Sequence, residues 1–192
     1  MLEIMYVEHV KKNLKDSLKQ EIDVPVNMCY QCGKCSAGCP LIEEMDIAPN
    51  QILRMLQLGI PELDEKILKS LTIWLCLTCQ TCYTRCPKEV DIPTIMDYLR
   101  SESQKRNFVH PKARNILTFH KAFLKSIKRN GRLYEIGLLA NYKLGTMKLF
   151  QDLNLAPSML LKGKLSIFPF KIKGKKAIDK IFESVKKEEE QL

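Results

Sequence analysis

The chain has 192 residues, of which 45% are hydrophobic, and it carries a formal net charge of +9. This size suits one domain with extensions and a modest apolar core. No window of eighteen apolar residues occurs, and Glu3 and Glu8 interrupt the apolar N-terminus, which argues against a membrane-spanning helix or a secretory signal. We therefore expect a cytoplasmic protein that has no membrane segment of its own.

The charge is unevenly distributed along the chain. Residues 1–100 contain 11 Lys and Arg against 14 Asp and Glu, whereas residues 101–192 contain 20 against 8. A basic C-terminal region that follows an acidic N-terminal one favours docking to acidic protein surfaces. Nucleic acid is the other partner that such a charge permits.

The first predicted element is an amphipathic helix over residues 2–20. Lysines lie opposite an apolar stripe whose members are Leu2, Met5, Val10, Leu14 and Leu18. This stripe needs a partner, which is either the rest of the domain or another protein of a complex. We assign residues 1–20 to this N-terminal helix.

Two cysteine runs with the same spacing follow, and together they hold all eight cysteines of the chain. The first run consists of Cys29, Cys32, Cys35 and Cys39, and the second of Cys76, Cys79, Cys82 and Cys86. Each run is followed directly by a proline, Pro40 or Pro87, which turns the chain away. Both runs therefore have the pattern C-x2-C-x2-C-x3-C-P.

This pattern is typical of proteins that bind two [4Fe–4S] clusters. Three closely spaced thiolates bind three irons of one cluster, and the cysteine before the proline binds the other cluster. We therefore expect one cluster on Cys29, Cys32, Cys35 and Cys86. The second cluster is expected on Cys76, Cys79, Cys82 and Cys39.

Structural zinc binding and disulfide formation are the two other roles that the cysteines could have. A structural zinc ion takes four ligands and would leave four cysteines without a role. Disulfides suit secreted scaffolds, and three thiols within seven residues have poor geometry for pairing. Both alternatives explain the repeated spacing less well than two clusters do.

Helices are predicted around and after the cysteine runs. Asp46 and Asp91 each precede a proline by two or three residues, where a helix N-cap and first turn belong. This pseudo-repeat predicts helices over 49–58 and 93–106. A further helix is predicted over 61–75. No period-two alternation appears before residue 165. The fold class is therefore all-α, with a helical two-cluster ferredoxin domain over residues 21–108.

Residues 109–192 are predicted to form a basic helical extension that docks a partner. Its elements are a helix from Pro111 to Asn130, a second over 132–143, an extended arm over 165–170 and a last helix over 175–192. The boundaries of the first helix follow from Pro111 at its start and Gly131 after its end.

No residue of this chain is expected to be catalytic. Four protein thiolates on each cluster leave no iron free for a substrate. The three histidines, His9, His110 and His120, share no spacing with one another or with a nucleophile. The chain is therefore expected to transfer electrons between a donor and an acceptor protein.

The two runs, with the flanking segments 28–40 and 74–87, closely resemble the C-type subunit of the CoB–CoM heterodisulfide reductases of methanogens. The likeness extends through residues 46–59 and 131–137 and covers about residues 25–145. It implies that all eight cysteines bind clusters. It also implies that electrons pass through this chain from a flavin-containing A-type subunit to the B-type subunit, which reduces the CoM-S-S-CoB disulfide. The three subunits would form a soluble A-B-C complex, which a hydrogenase or formate dehydrogenase can join.

Two rival functions remain open from the sequence. The chain also fits the iron–sulfur subunit of a succinate, glycerol-3-phosphate or glycolate-type dehydrogenase. A basic metal-containing module that binds nucleic acid is the rival from another class, although neither nucleic acid nor a membrane is the expected partner.

Overall fold

The computed structural model describes residues 13–147 and 172–191, together with positions 159, 162 and 169. These residues form helices and turns and no β-strand, which confirms the all-α fold class. Two compact units divide the chain, residues 1–113 and 114–192. The helices of the first unit are α1 (Leu14–Ile22), α2 (Lys34–Ala37), α3 (Pro49–Leu58), α4 (Pro61–Leu68), α5 (Thr72–Leu75), α6 (Thr81–Thr84) and α7 (Ile92–Lys105).

The core of the first unit is built from the apolar faces of α1, α3, α4 and α7. Their buried residues recur three or four positions apart, the spacing that places side chains on one helix face. The largest fully buried side chains are Leu14, Leu18, Ile52, Leu53, Leu56, Ile67, Leu68, Ile73, Ile92, Ile95, Met96 and Leu99. The long helices thus form the scaffold, and the cysteine runs lie in the connections between them.

Helix α1 packs on its own unit and is fixed at its start by three hydrogen bonds. The Asn13 side chain accepts from the Lys15 N–H at 2.9 Å and donates to the Gly59 carbonyl at 2.9 Å. The Leu14 N–H donates to Asp64 Oδ2 at 2.9 Å. The apolar stripe predicted here is therefore buried within the unit at Leu14 and Leu18, and residues 2–12 of the prediction lie outside the described residues.

The two predicted repeat helices are present, and α3 has the predicted bounds. Helix α3 spans Pro49–Leu58 and ends at Gly59, whose φ of 63° suits glycine. Helix α7 begins at Ile92, one residue before the predicted start, and Asp91 caps it by accepting from the Thr94 N–H at 3.1 Å. The N-cap of α3 is Ala48 and not the predicted Asp46.

Asp46 instead binds the chain that leads into the second cysteine run. Its Oδ1 accepts from the Ser70 hydroxyl at 2.6 Å and from the Thr72 N–H at 2.9 Å, and its Oδ2 accepts from the Leu71 N–H at 2.9 Å. These bonds fix a turn, and the single helix predicted over 61–75 is therefore wrong. Two helices, α4 and α5, replace it.

The second unit contains helices α8 (Arg114–Asn130), α9 (Glu135–Thr146) and α10 (Lys175–Gln191). Helix α8 follows a 3-10 turn over Pro111–Ala113, so the helix predicted from Pro111 is confirmed with a modified start. Helix α9 begins later than the predicted residue 132 because the Tyr134 N–H donates to Ser126 Oγ at 3.0 Å. The extended arm predicted over 165–170 falls outside the described residues, apart from position 169.

Candidate iron–sulfur centres

The two cysteine runs have the same backbone path. In each run a short helix, α2 or α6, contains the third cysteine. The residue after the second cysteine has a positive φ in both runs, 74° at Gly33 and 64° at Gln80. The residue before the second cysteine also has a positive φ, 62° at Gln31 and 51° at Thr78. Positive φ values on both sides of the second cysteine thus give the two runs the same turn, and backbone turns of this kind are typical of anion-binding sites, including iron–sulfur sites.

One pocket collects the cysteines expected to hold the second cluster. Its lining includes Cys76, Cys79 and Cys82 from the second run and Cys39 from the first. About 440 Å³ in this pocket is free of protein atoms, and part of that space is open to solvent. The remaining wall is mainly apolar and consists of Pro40, Leu41, Met45, Pro49, Leu77, Thr81, Ile92, Pro93 and Met96. Four thiols around one pocket match the number of donors that a [4Fe–4S] cluster requires.

The fourth cysteine of the second run lies near the first run. Desolvation and a hydrogen bond to the Cys32 thiol raise the pKa of the Tyr30 hydroxyl, and the Cys86 and Cys29 thiolates act in the same direction. Tyr30 is thus close to three of the four cysteines expected around the first cluster. The sulfur of Cys86 accepts from the Val90 N–H at 3.4 Å.

Direct packing also joins the two runs. A Cβ on Gly38 would lie 2.7 Å from Cδ and 2.9 Å from Cζ of Arg85. Gly38 directly precedes Cys39, and Arg85 directly precedes Cys86. The two positions before the fourth cysteines therefore meet each other.

Hydrogen bonds favour the thiolate form of the two exposed cysteines. The Lys34 N–H is the largest cause of the lowered pKa of Cys32. At the matching position in the second run, the Thr81 hydroxyl lies 3.4 Å from the Cys79 sulfur. That hydroxyl and the Thr81 N–H lower the pKa of Cys79. Thiolate is the form that binds iron.

The thiols that lie deeper have the opposite tendency. Burial raises the pKa of Cys35 and of Cys76, and burial together with the negative charge of Cys76 raises the pKa of Cys82 to about 11. A cation compensates for the desolvation of a buried thiolate, so these positions favour metal-bound sulfur over free thiolate. All eight cysteines are free of disulfides.

A polar side chain clamps the first cysteine of each run through its backbone. Gln57 Nε2 donates to the Val26 carbonyl at 3.1 Å and to the Cys29 carbonyl at 2.6 Å. In the second run, the Arg100 guanidinium donates to the carbonyls of Ile73 and Cys76. Sequence reasoning missed both clamps. Their signal in the sequence is that each is the ninth residue of its repeat helix, α3 or α7.

The described residues form neither a single-ion site nor a membrane span. In residues 13–147 and 172–191, no three His, Cys, Asp or Glu side chains converge on the position of one metal ion. A [4Fe–4S] cluster has a different geometry, because each of its thiolates binds a different iron. None of the helices described is both long and apolar enough to cross a bilayer.

The fold and the cysteine runs together define a helical iron–sulfur protein, and comparison with known families agrees. The family model for the 4Fe-4S dicluster domain matches residues 25–90, the segment that contains both runs. The chain therefore binds two [4Fe–4S] clusters, and this cofactor prediction is confirmed.

Curated relatives identify the family. The chain is 32% identical over 114 residues to the iron–sulfur C-type subunit of the CoB–CoM heterodisulfide reductase of Methanopyrus kandleri, covering 59% of this chain and 58% of that protein. It is 30% identical over 131 residues to the second such subunit from Methanocaldococcus jannaschii, covering 68% of each. A third relative is the C-type subunit of the H2:CoB–CoM heterodisulfide,ferredoxin reductase of Methanothermobacter marburgensis, 29% identical over 111 residues and 58% of each chain.

The chain belongs to the family of C-type iron–sulfur subunits of heterodisulfide reductase. The resemblance inferred from the cysteine runs is therefore confirmed. The chain spans 58% of the length of the first and third of these relatives.

Proposed function

We propose that this chain is an electron-transfer subunit of a heterodisulfide reductase. In this proposal it takes electrons from a flavin-containing A-type subunit and delivers them to the B-type subunit, which reduces the CoM-S-S-CoB disulfide. Membership of the C-type family and the presence of two [4Fe–4S] clusters support it. The clusters supply one-electron transfer and no bond chemistry, and no catalytic residue is assigned to this chain.

The ligand sets are part of the proposal. We assign Cys29, Cys32, Cys35 and Cys86 to the first cluster, and Cys76, Cys79, Cys82 and Cys39 to the second. The observation that carries this assignment is the single pocket that Cys39 shares with three cysteines of the other run. The contact between Gly38 and Arg85 supports the reciprocal exchange of Cys86.

Exposed cysteines indicate where electrons enter and leave. Cys32 and Cys79 are exposed, whereas Cys35 is buried. Beside them lie exposed apolar side chains, Tyr30 at 56% and Leu77 at 66% of their full accessible surface. An apolar surface next to a redox centre lets a partner protein approach closely and exclude water. We therefore assign the entry of electrons to one run and their exit to the other.

The basic second half supplies the docking charge in this proposal. Residues 101–192 carry 20 Lys and Arg against 8 Asp and Glu, which complements an acidic protein surface. We retain the three-part division into residues 1–20, 21–108 and 109–192, with the last as the docking extension. The proposed site of action is the cytoplasm, and a hydrogenase or formate dehydrogenase is a candidate further member of the complex.

The test is electron transfer in the reconstituted complex. The chain is purified anaerobically with the A-type and B-type subunits, and the absorbance of its clusters is followed after the flavin is reduced. We expect the clusters to be reduced through the A-type subunit. They should be reoxidised when CoM-S-S-CoB is added in the presence of the B-type subunit. Disulfide reduction should cease when this chain is omitted.

The control separates electron transfer from assembly. Cys79→Ser removes one proposed ligand at an exposed position, so the complex should still assemble while disulfide reduction falls sharply. Undiminished disulfide reduction in a complex that lacks this chain would refute the proposal.

A further inference from the structure

The two cysteine runs are held by equivalent clamps that differ in charge. Gln57 and Arg100 are each the ninth residue of the helix that follows a run. Each donates to the carbonyl of the first cysteine of its run and to the carbonyl three residues earlier. The geometry of the two clamps is therefore repeated, but one is a neutral amide and the other is a guanidinium.

The charge of Arg100 is only partly neutralised by its ion pair. Only 19% of the Arg100 side chain is exposed, whereas its ion-pair partner Asp97, at 2.7 Å, is 58% exposed. Solvent therefore weakens the effect of the carboxylate more than that of the guanidinium. The two carbonyls that accept from Arg100 carry no net charge, so they do not cancel the charge of the guanidinium. A positive field remains beside Cys76.

The guanidinium lies next to the first ligand of the second run. Arg100 donates to the carbonyl of Cys76 itself, so its charge is held at the residue whose sulfur is expected to bind iron. Reduction of a cluster adds negative charge, which a nearby cation stabilises.

The cations near the first run are arranged differently. Arg54 Nη1 lies 3.4 Å from Gln57 Oε1, and Lys15 Nζ donates to the Gln57 carbonyl at 3.1 Å. Both cations contact the clamp residue and not the cysteine backbone, and Arg54 is exposed. Lys34 lies within the first run and is also exposed. No cation among these donates to the carbonyl of Cys29, so Gln57 holds the backbone there without placing a charge on it.

We propose that Arg100 is a positioning residue with a second role, in which its charge raises the reduction potential of the cluster bound by Cys76, Cys79, Cys82 and Cys39. Gln57 performs the positioning role alone at the other cluster. The charged clamp thus holds an electron more firmly on its own cluster than a neutral clamp at the same place would. This inference rests on the ligand sets of the proposed function.

The test is a redox titration of the purified holoprotein, with dithionite as the reductant and EPR as the readout. Arg100→Gln places at this position the neutral side chain of the Gln57 clamp. We expect the equilibrium constant for reduction of the second cluster to fall on the order of tenfold, which lowers its reduction potential by about 59 mV for a one-electron couple. Arg100→Lys keeps the charge and should shift that potential by less than half as much. Lys105 is the last residue of α7, five positions beyond Arg100, and its ion pair is with Glu102. Lys105→Gln removes a charge from the same helix and should therefore leave both potentials unchanged.

A variant with the opposite sign guards against loss of the cluster. Asp97→Asn removes an exposed anion and should raise the potential that Arg100→Gln lowers. If Arg100→Gln does not retain iron, the result for Asp97→Asn decides, and an unchanged potential overturns the inference. An unchanged potential in an iron-loaded Arg100→Gln, or an equal shift in Lys105→Gln, also overturns it.

The affected cluster is identified by comparison with Cys39→Ser. The EPR signal that Cys39→Ser alters should be the one whose potential moves in Arg100→Gln, and a shift confined to the other signal contradicts the inference. Failure of the ligand sets themselves has a different signature. In that case wild-type protein would lack two four-iron clusters, or Cys39→Ser would alter the same signal as Cys32→Ser.

Discussion

The side chain of Arg85 packs against Gly38, so the residues that precede the fourth cysteine of each run touch each other. Gly38 has a φ of −102°, which any residue can adopt, and its small size is therefore required by Arg85 and not by the backbone. This contact brings together the residues that precede Cys39 and Cys86, which supports the proposed exchange of fourth ligands.

Gly38→Ala tests the contact. The added Cβ would clash with Arg85, whose side chain is exposed and must move. We expect destabilisation of about 1 kcal/mol, at the low end of the cost of overpacking. Arg85→Ala in the same chain should restore most of the lost stability, as shown by anaerobic unfolding of both single variants and the double variant. Strict additivity of the two substitutions would contradict the packing described.

Asp46→Asn tests the anchor of the second run. The substitution keeps the size of the side chain but weakens acceptance from Ser70, Leu71 and Thr72, so we expect a loss of about 1–3 kcal/mol in the free energy of unfolding. The variant should also release its iron at a lower temperature than the wild type, because these bonds fix the start of α5, which leads into Cys76.

The pH dependence of that loss follows from the pKa of Asp46. Burial raises this pKa, but the hydrogen bonds from Ser70, Leu71 and Thr72 outweigh burial and lower it from 3.8 to about 2. The contribution of the carboxylate is therefore present in full above the unfolded value and is lost only as pH falls toward about 2. The difference between wild type and Asp46→Asn should stay constant from about pH 8 to about pH 5.5, and a steady decline over that range would contradict the assignment.

The matching positions 33 and 80 offer a reciprocal test of backbone strain. Both residues have a positive φ, but only Gly33 suits it. Gln80→Gly should stabilise the protein by about 1 kcal/mol, and Gly33→Ala should destabilise it by about 1 kcal/mol. Nothing lies within 4 Å of a Cβ at position 33, so the effect of Gly33→Ala would come from backbone strain and not from a steric clash. Destabilisation by both substitutions would contradict the strain at Gln80.

Removal of iron should expose a specific order of thiol reactivity. Cys32 and Cys79 are exposed and have a lowered pKa, whereas Cys35 is buried and the pKa of Cys82 is raised to about 11. A lower pKa leaves more thiolate, the reactive form, near neutral pH. After chelation, iodoacetamide should label Cys32 and Cys79 first, as measured by mass spectrometry of the peptides. Equal rates at all four cysteines would contradict this order.

The parts of the fold that could be predicted from the sequence depend on local spacing. Pro49 and Gly59 mark the two ends of α3, because proline suits a helix start and glycine a left-handed end. The cysteine spacing indicated the cofactor in the same way, since three thiols on one tight turn are a local property of the chain.

The parts that could not be predicted depend on contacts between distant residues. Asp46 resembles the N-cap Asp91 in sequence, but its bonds go to residues 24 to 26 positions later, and they interrupt the helix predicted there. Arg100 likewise reaches the Cys76 carbonyl across 24 positions. Periodicity and capping rules describe neighbours along one element, so they carry no information about such partners.

The exchange of fourth ligands is the central claim, and it is tested most directly by EPR of four Cys→Ser variants after anaerobic reduction. Cys32→Ser and Cys79→Ser, at exposed positions of the two runs, serve as references for the first and the second cluster. We predict that wild-type protein contains about eight irons per chain, that Cys39→Ser alters the same signal as Cys79→Ser, and that Cys86→Ser alters the same signal as Cys32→Ser. If Cys39→Ser instead matches Cys32→Ser, the fourth ligands are not exchanged, and zinc in place of the iron would contradict both clusters.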